Sequence, residues 1–172
     1  MTAGELAAVV GRDTARFVLF RARPDSTPVV DPAVLSASTD ANPAFRVRHT
    51  HARMCAVARH ADALDVRPGP VPTSDPTTDR AAGSVAVREL ELGNLLSDYP
   101  RVGGRNERYR VARYLEALAE ACARFEASCP VLPLGDEPVT ELHRARVAVC
   151  AHTRRVLADG LRRLDVSAPE QM

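Results

Sequence analysis

The feature that most constrains the fold is the helical spacing of apolar residues, which is clearest in NPAFRVRHTHARMC at residues 42–55. Asn42 is a good helix N-cap, and Pro43 suits the first helical position. Residues at three- and four-residue steps form one face that can pack on a core. They are Ala44, Val47, His51, Met54, Cys55 and Ala58. The other face carries cationic or protonatable groups that suit an anionic partner. They are Arg46, His49, Arg53 and His60.

The same spacing continues along the chain. It predicts helices at residues 3–10, 13–22, 33–38, 43–63, 84–98, 107–127 and 139–158. Gly160 is predicted to introduce a turn before a short segment at 161–164. The chain has 45% hydrophobic residues but only 4% aromatic residues and no Trp, which favours close helix packing over a sheet. We therefore predict an all-α helical bundle, with no strand and no internal repeat.

The length of 172 residues predicts one domain with a core of its own, spanning residues 1–172. Four prolines between residues 67 and 78 predict a surface loop at 67–80. The four cysteines fall mostly on predicted packing faces and do not form a disulfide framework in a chain this long. We expect a reducing, cytoplasmic setting, since neither a signal peptide nor a bilayer-length apolar segment is visible.

The charge distribution is unusual. The net charge is only +1, yet all 23 basic residues are arginine. Arginine is better suited than lysine to bidentate phosphate contacts and to stacking on bases. Codon bias in a GC-rich genome also explains the absence of lysine, and it too leaves arginine where it could contact an anion.

Several blocks, taken in order, resemble the anticodon-binding (DALR) domain of arginyl-tRNA synthetases. Residues 42–55 carry Asn-Pro, then Phe, then His-Ala-Arg, and residues 108–133 and 144–172 match in order and spacing. The family tends to end in Ala-Pro-Glu-Arg-Met, and this sequence ends in Ala-Pro-Glu-Gln-Met. Residues 4–31 resemble the helical link that follows the catalytic domain. The resemblance implies a helical bundle of the class I synthetase anticodon-binding type.

The catalytic half of a class I synthetase has no counterpart in this sequence, since neither a HIGH-like nor a KMSKS-like motif occurs. The resemblance therefore implies a stand-alone relative that lacks the catalytic domain and aminoacylation activity. Met1, followed by a capping box at Thr2 and Glu5, favours a free-standing protein over a fragment.

Helix 107–127 carries the clearest candidate RNA contacts. Arg110, Arg113 and Arg124 are predicted to lie beside its apolar stripe, with Tyr114 at the border. An aromatic ring beside arginines suits an unpaired RNA loop, although the pattern also fits a half-buried tyrosine beside solvated arginines. The resemblance implies that this helix helps to line the anticodon-loop site. It also implies that the terminal Met172 lies close to the anticodon loop, whereas a disordered tail is the alternative.

The helix that begins after Asn42 departs from the family pattern. Relatives often have Phe-Tyr-Val-Gln-Tyr where this chain has Phe-Arg-Val-Arg-His at 45–49, and often have tyrosine at Glu126. The exchange of rings for arginine trades base readout for phosphate attraction. Strict anticodon specificity is therefore not expected. The predicted RNA-binding residues are Arg46, His49, Arg53, Arg110, Arg113, Tyr114, Arg124 and Met172.

Other chemistry is weakly supported. His51 and Cys55 could share an ion, but His51 matches a family histidine that needs no metal, so we predict no metal site, cofactor or catalytic residue. Arg144, Arg155 and Arg162 are interpreted as a solvated face.

Two hypotheses about function follow. The first is a tRNA-binding module that grips the anticodon stem-loop and presents tRNA to a partner enzyme. The second is a reused scaffold that acts in protein interaction, regulation or small-molecule chemistry in specialised metabolism.

Overall fold

The computed structural model describes residues 2–23, 25–26, 30–70, 80–103 and 108–172, apart from the side chains of 80–84, 86 and 103. Within these ranges the chain forms seven helices and no strand. The helices are α1 Ala3–Val10, α2 Arg12–Arg21, α3 Pro32–Ser36, α4 Pro43–Ala63, α5 Arg80–Gly103, α6 Arg108–Ser128 and α7 Glu141–Arg163. The predicted all-α fold is confirmed.

Asn42 fixes the start of α4 as predicted. Its side-chain oxygen accepts hydrogen bonds from the backbone N–H groups of Ala44 and Phe45. Its amide nitrogen donates to the carbonyl oxygens of Leu35, near the end of α3, and of Ala37, the C-cap of α3. Because Asn42 is buried, all of its hydrogen bonds are shielded from water, and α4 is tied firmly to α3.

Helix α6 is the centre of the bundle and packs against α2, α4, α5 and α7. Its predicted apolar stripe is confirmed, since every member is buried. The stripe consists of Val111, Leu115, Leu118, Cys122 and Phe125. A second, smaller core lies among α1, α2 and α3. Helix α2 joins the two cores, because Phe17 lies in the main core and Val18 in the smaller one.

Gly160 does not introduce a turn, and that prediction is wrong. Helix α7 runs through it to Arg163. A Cβ atom at Gly160 would lie 2.6 Å from Cδ2 of Leu115, so only glycine permits this close approach of α7 to α6. The cost of glycine in a helix, about 1 kcal/mol, is offset by the packing that this approach allows.

Two further predictions differ from the structure, and others fall outside the described residues. Helix α5 is longer than the predicted 84–98 and continues past Pro100, because Tyr99 and Val102 still pack on the core. The helical spacing of α2 and α7 also predicts that Leu19 and Leu142 face inward, but both are exposed. The loop predicted at 67–80 falls largely on 71–79, outside the described residues, as does the predicted helix start at 107.

All four cysteines are free and buried, as predicted. Burial raises the pKa of each thiol, and the pKa of Cys150 reaches about 12. These thiols therefore stay protonated and pack as small apolar groups. In the part of the chain that the structure describes, no helix is long and apolar enough to cross a bilayer.

Candidate nucleic-acid interface

Arg46, His49 and Arg53 lie on the side of α4 that faces away from the core. The His49 ring stacks on Phe45, with ring centroids 5.2 Å apart and an interplanar angle of 23°. Both rings are half-buried. The exposed side of α4 therefore carries a paired aromatic surface flanked by two guanidinium groups.

The exposed face of α6 lies between α4 and α5. It consists of Arg110, Arg113, Ala117, Glu120 and Arg124, which recur at three- and four-residue steps. Arg124 is held at the α5 side, where its Nη2 donates a hydrogen bond to Glu91. Hydrogen bonds from Arg124 and Arg88 lower the pKa of Glu91. Arg113 is exposed and forms no ion pair within the described ranges.

Ion pairs join α4 to α6. The guanidinium of Arg46 lies 3.0 Å from Glu120 and 4.0 Å from Glu116. Arg53 lies 3.0 Å from Glu126. Arg21 of α2 donates to Glu116 from the other side. We call these six residues the arginine–glutamate seam. Two of the arginines that were predicted to offer charge to an anion are therefore already paired within the protein.

Glu126 is the carboxylate of the seam whose pKa is raised by burial. Its side chain is only 13% exposed. Burial raises the pKa of Glu126, and the opposing attraction of Arg53 does not cancel that rise. Position 126 therefore holds a carboxyl group whose ionisation is disfavoured by burial.

The seam, the exposed face of α6 and the adjoining Arg88–Glu91 ion pair of α5 together form one surface, which we call the α4–α6 surface. Its charged residues are Arg21, Arg46, Arg53, Arg88, Arg110, Arg113, Arg124, Glu91, Glu116, Glu120 and Glu126. Seven arginines face four glutamates, an excess of three positive charges in a chain whose net charge is +1. The α4–α6 surface therefore carries a net positive charge.

Tyr114 does not belong to this surface, and its predicted border position is wrong. It is 8% exposed, and its hydroxyl donates to the Leu95 carbonyl at 2.7 Å. Its ring lies 5.4 Å from that of Tyr99, and burial raises the Tyr114 pKa. Tyr114 points towards α5, so its ring has too little open surface to stack a base.

Tyr109 is a half-buried aromatic residue near Arg113 that the sequence analysis missed. Nε of Arg110 donates to the Tyr109 hydroxyl at 3.0 Å, and the Arg110 guanidinium lies 5.7 Å from the ring centroid. The available signal was spacing, because Tyr109 precedes Arg113 by four residues and so shares its side of the helix.

The C-terminal tail, residues 165–172, lies along α4. The ring nitrogen Nδ1 of His51 is 2.9 Å from the carbonyl oxygen of Pro169. Arg59 donates to the carbonyl of Glu170 at 3.4 Å. Met172 itself is 55% exposed. The tail therefore lies along the side of α4 that carries His51 and Arg59, and its last side chain is exposed to solvent.

Helix α7 carries a second group of arginines on the opposite side of the bundle, because its inner face packs on the buried side of α6 through Gly160. Arg144 and Arg155 are exposed there, without an ion pair among the residues described. Arg162 and Arg163 both donate to Asp159. We call this the α7 outer face.

His51 and Cys55, weighed above as a metal pair, lie with Nε2 and Sγ 3.8 Å apart. Over the described ranges, no group of three or more potential ligands is placed to hold a metal ion.

The family model for the DALR anticodon binding domain matches residues 47–172. The chain belongs to the DALR family. The whole of α4 beyond its first turn, both helices of the α6–α7 pair and the C-terminal tail therefore lie within the matched DALR region.

Solved structures agree on the fold of this DALR chain. A protein described as an arginyl-tRNA synthetase from Campylobacter jejuni matches 98% of the chain with a TM-score of 0.63 at 16% identity. Thermus thermophilus arginyl-tRNA synthetase matches 98% with a TM-score of 0.61 at 22% identity. The chain spans only 35% and 27% of the length of these two proteins. The predicted fold type is confirmed.

Proposed function

We propose that this DALR domain binds tRNA at the anticodon stem-loop through the α4–α6 surface. The match of residues 47–172 to an anticodon-binding family is the observation that carries the proposal. The excess of positive charge on that surface supports it, because phosphate attraction supplies much of the affinity of proteins for nucleic acids.

Arg110 and Arg113 are the proposed phosphate contacts on α6, since both are exposed. Arg46 and Arg53 can join them without leaving the seam, because a guanidinium has five N–H donors. His49 with Phe45 offers unpaired bases a ring surface.

Two further contacts are proposed. Arg124 would contribute from the α5 side, where it pairs with Glu91, and Met172 would contribute through its exposed side chain. Tyr114, in contrast, is left out of the proposed contacts, and Tyr109 takes its place.

The proposed role is non-catalytic. Both synthetases are matched over about a third of their length or less, in keeping with a module that binds tRNA without charging it. We propose that the protein acts in the cytoplasm and presents tRNA to a partner enzyme. Crosslinking in cell extract followed by sequencing of the bound RNA would identify which tRNA it selects.

Fluorescence anisotropy with labelled tRNA between 50 and 200 mM salt tests binding, together with an Arg113→Ala variant. We expect affinity to fall steeply with salt, and we expect Arg113→Ala to reduce the salt slope by about 1. Arg155→Ala on the α7 outer face removes the same charge from the opposite side and should leave the slope unchanged. An absence of salt-sensitive binding at low ionic strength, or equal losses in both variants, would contradict the proposal.

A second candidate function is a reused scaffold for protein interaction, regulation or small-molecule chemistry. The seam favours it, because Arg46 and Arg53 are paired internally and only part of the charge is free for RNA. A folded protein that ignores RNA but copurifies with one specific partner would support this function. Neighbouring genes of specialised metabolism would do so as well, whereas translation genes would favour tRNA.

A further inference from the structure

A cleft separates part of α4 from α7, and we call it the α4–α7 cleft. The two helices run in opposite directions. Cys55 lies beside Arg154, past the middle of α7, whereas Gly69, beyond the end of α4, donates a backbone hydrogen bond to Arg144 near the start of α7. The cleft has a volume of about 170 Å³. Its walls are small apolar side chains, which leave room between the helices, namely Val57, Ala58, Ala61, Val147, Cys150 and Ala151.

The α4–α7 cleft has a charged group at each end. Arg154 is half-buried. Burial raises the pKa of the Cys55 thiol, and the positive charge of Arg154 beside it opposes that rise. Asp62 is exposed and lines the cleft seven residues further along α4. Seven residues are two helical turns, so Cys55 and Asp62 share one side of α4 about 10 Å apart. The cleft is therefore positive at one end, negative at the other and apolar between them.

Neither of these charges is neutralised by an ion pair within the described part of the chain. Arg154 and Asp62 differ in this respect from Arg46 of the seam, which pairs with Glu120. Glu170 of the C-terminal tail also acts on the Cys55 thiol, so its carboxylate is a competitor for Arg154. A guanidinium that is partly withdrawn from water and lacks a carboxylate partner favours an anionic ligand.

The volume of the cleft limits the ligand to a small molecule. An apolar cavity of about 150 Å³ accommodates benzene, so this cleft has room for about six to nine non-hydrogen atoms. A carboxylate suits Arg154, because a guanidinium can hold both carboxylate oxygens, and an ammonium group suits Asp62. A polar contact of about 3 Å at each end leaves space for a chain of about four or five carbons.

We propose that the α4–α7 cleft binds a small ω-amino carboxylic acid. Its carboxylate pairs with Arg154, its ammonium group pairs with Asp62, and its aliphatic chain lies against the alanine and valine side chains between them. The cleft lies on the α7 side of α4 and shares no residue with the α4–α6 surface, so the proposal does not depend on tRNA binding.

Titration of ¹⁵N-labelled protein with δ-aminovalerate, followed through the backbone amide signals, tests the proposal. We expect saturable shifts centred on Ala58, Ala61 and Ala151, with a Kd of about 1–10 mM for a ligand of this size. Signals of the α4–α6 surface, such as that of Arg113, should not move. Valerate and pentylamine each lack one of the two charged groups, and each should bind about threefold to tenfold more weakly.

Variants of the charged groups locate the two ends of the ligand. Arg154→Gln should weaken δ-aminovalerate binding about tenfold, and Asp62→Asn should weaken it about threefold, since Asp62 is exposed. Glu170→Gln removes the competing carboxylate and should strengthen binding about twofold. The matched control is Arg155→Gln, which removes the neighbouring arginine from the α7 outer face and should leave binding unchanged.

Three results would overturn the proposal. The first is an absence of shifts around the cleft at tens of millimolar δ-aminovalerate. The second is equal affinity for valerate and δ-aminovalerate, which would exclude a part for the ammonium group. The third is an equal loss of affinity in Arg154→Gln and Arg155→Gln. The three probes are compared on the wild-type protein, so they decide the class of ligand even where a variant fails to fold.

Discussion

The α4–α6 surface and the α7 outer face both carry arginines, but they hold them differently. On the α4–α6 surface, glutamates fix Arg46, Arg53 and Arg124 in place, and half-buried rings lie beside them. On the α7 outer face, Arg162 and Arg163 are held by Asp159 of the same helix. Arg144 and Arg155 are exposed there and, in the described part of the chain, have no carboxylate partner.

This difference shows that the number of arginines alone does not define a binding surface. A guanidinium that is already held loses less side-chain entropy when a phosphate binds. The holding glutamate also competes with that phosphate, so the seam has opposing effects on affinity. This comparison is tested by variants that disturb the contact between α6 and α7, and by variants that change the α4–α6 surface but not the α7 outer face.

The largest expected effect is on stability, at Gly160. This residue lies in the contact between α6 and α7, which keeps the two surfaces on opposite sides of the bundle. Gly160→Ala places a Cβ atom 2.6 Å from the fully buried Leu115. Overpacking costs about 1–3 kcal/mol, partly offset by better helix propensity. We expect the free energy of unfolding to fall by about 2 kcal/mol in chemical denaturation.

Gly93→Ala is the matched control for Gly160→Ala. A Cβ atom at Gly93 meets no atom within 4 Å among the described residues. Alanine should therefore stabilise α5 by about 0.5–1 kcal/mol. Changes of the same sign in the two variants would contradict the close approach of α7 to α6.

The next largest effect is expected at Tyr114, where one variant distinguishes a role in the core from a role in RNA binding. Tyr114→Phe removes the hydrogen bond to the Leu95 carbonyl and should cost about 1 kcal/mol of stability. Because the ring is buried, tRNA affinity should stay within about twofold of wild type. A large loss of tRNA affinity in a fully folded variant would contradict this prediction and indicate that Tyr114 contacts RNA.

Glu120→Gln tests whether the seam competes with RNA. It releases Arg46 from an exposed ion pair of 3.0 Å and should raise tRNA affinity about twofold to fivefold at low salt. Glu141→Gln makes the same change in net charge on the first turn of α7 and should change affinity less. Equal gains in both variants would mean that net charge alone controls binding and that the seam plays no special part.

The smallest effect concerns the pH dependence of Glu126. Because its pKa is raised in the folded protein, folding favours the protonated carboxyl, and this contribution to stability is lost as pH rises to neutral. Glu126→Gln should therefore be more stable than wild type at pH 7, by less than about 1 kcal/mol. The advantage should shrink towards about pH 4. Denaturation at several pH values measures it, and a gap that widens on acidification would contradict the buried carboxyl.

Periodicity predicted most of the fold because it reports directly on which side chains are buried. The stripe of α6 and the cap at Asn42 were both identified in this way. The seam could not be predicted, since pairing between Arg53 and Glu126 depends on which helices are neighbours. Tyr114 sits where periodicity alone cannot separate a border from a core position, and the neighbouring α5 decides its burial. Gly160 was misread because a close helix contact and a turn both select glycine.

The docked tail also affects how the protein can be handled. Residues added after Met172 would emerge beside α4, because the tail runs along that helix as far as Glu170. A bulky fusion at that end would therefore shield the side of α4 that carries His51 and Arg59, whereas the same fusion before Thr2 would begin at the smaller core. Placing one reporter at each end in turn offers a mutation-free way to map the face that partners approach.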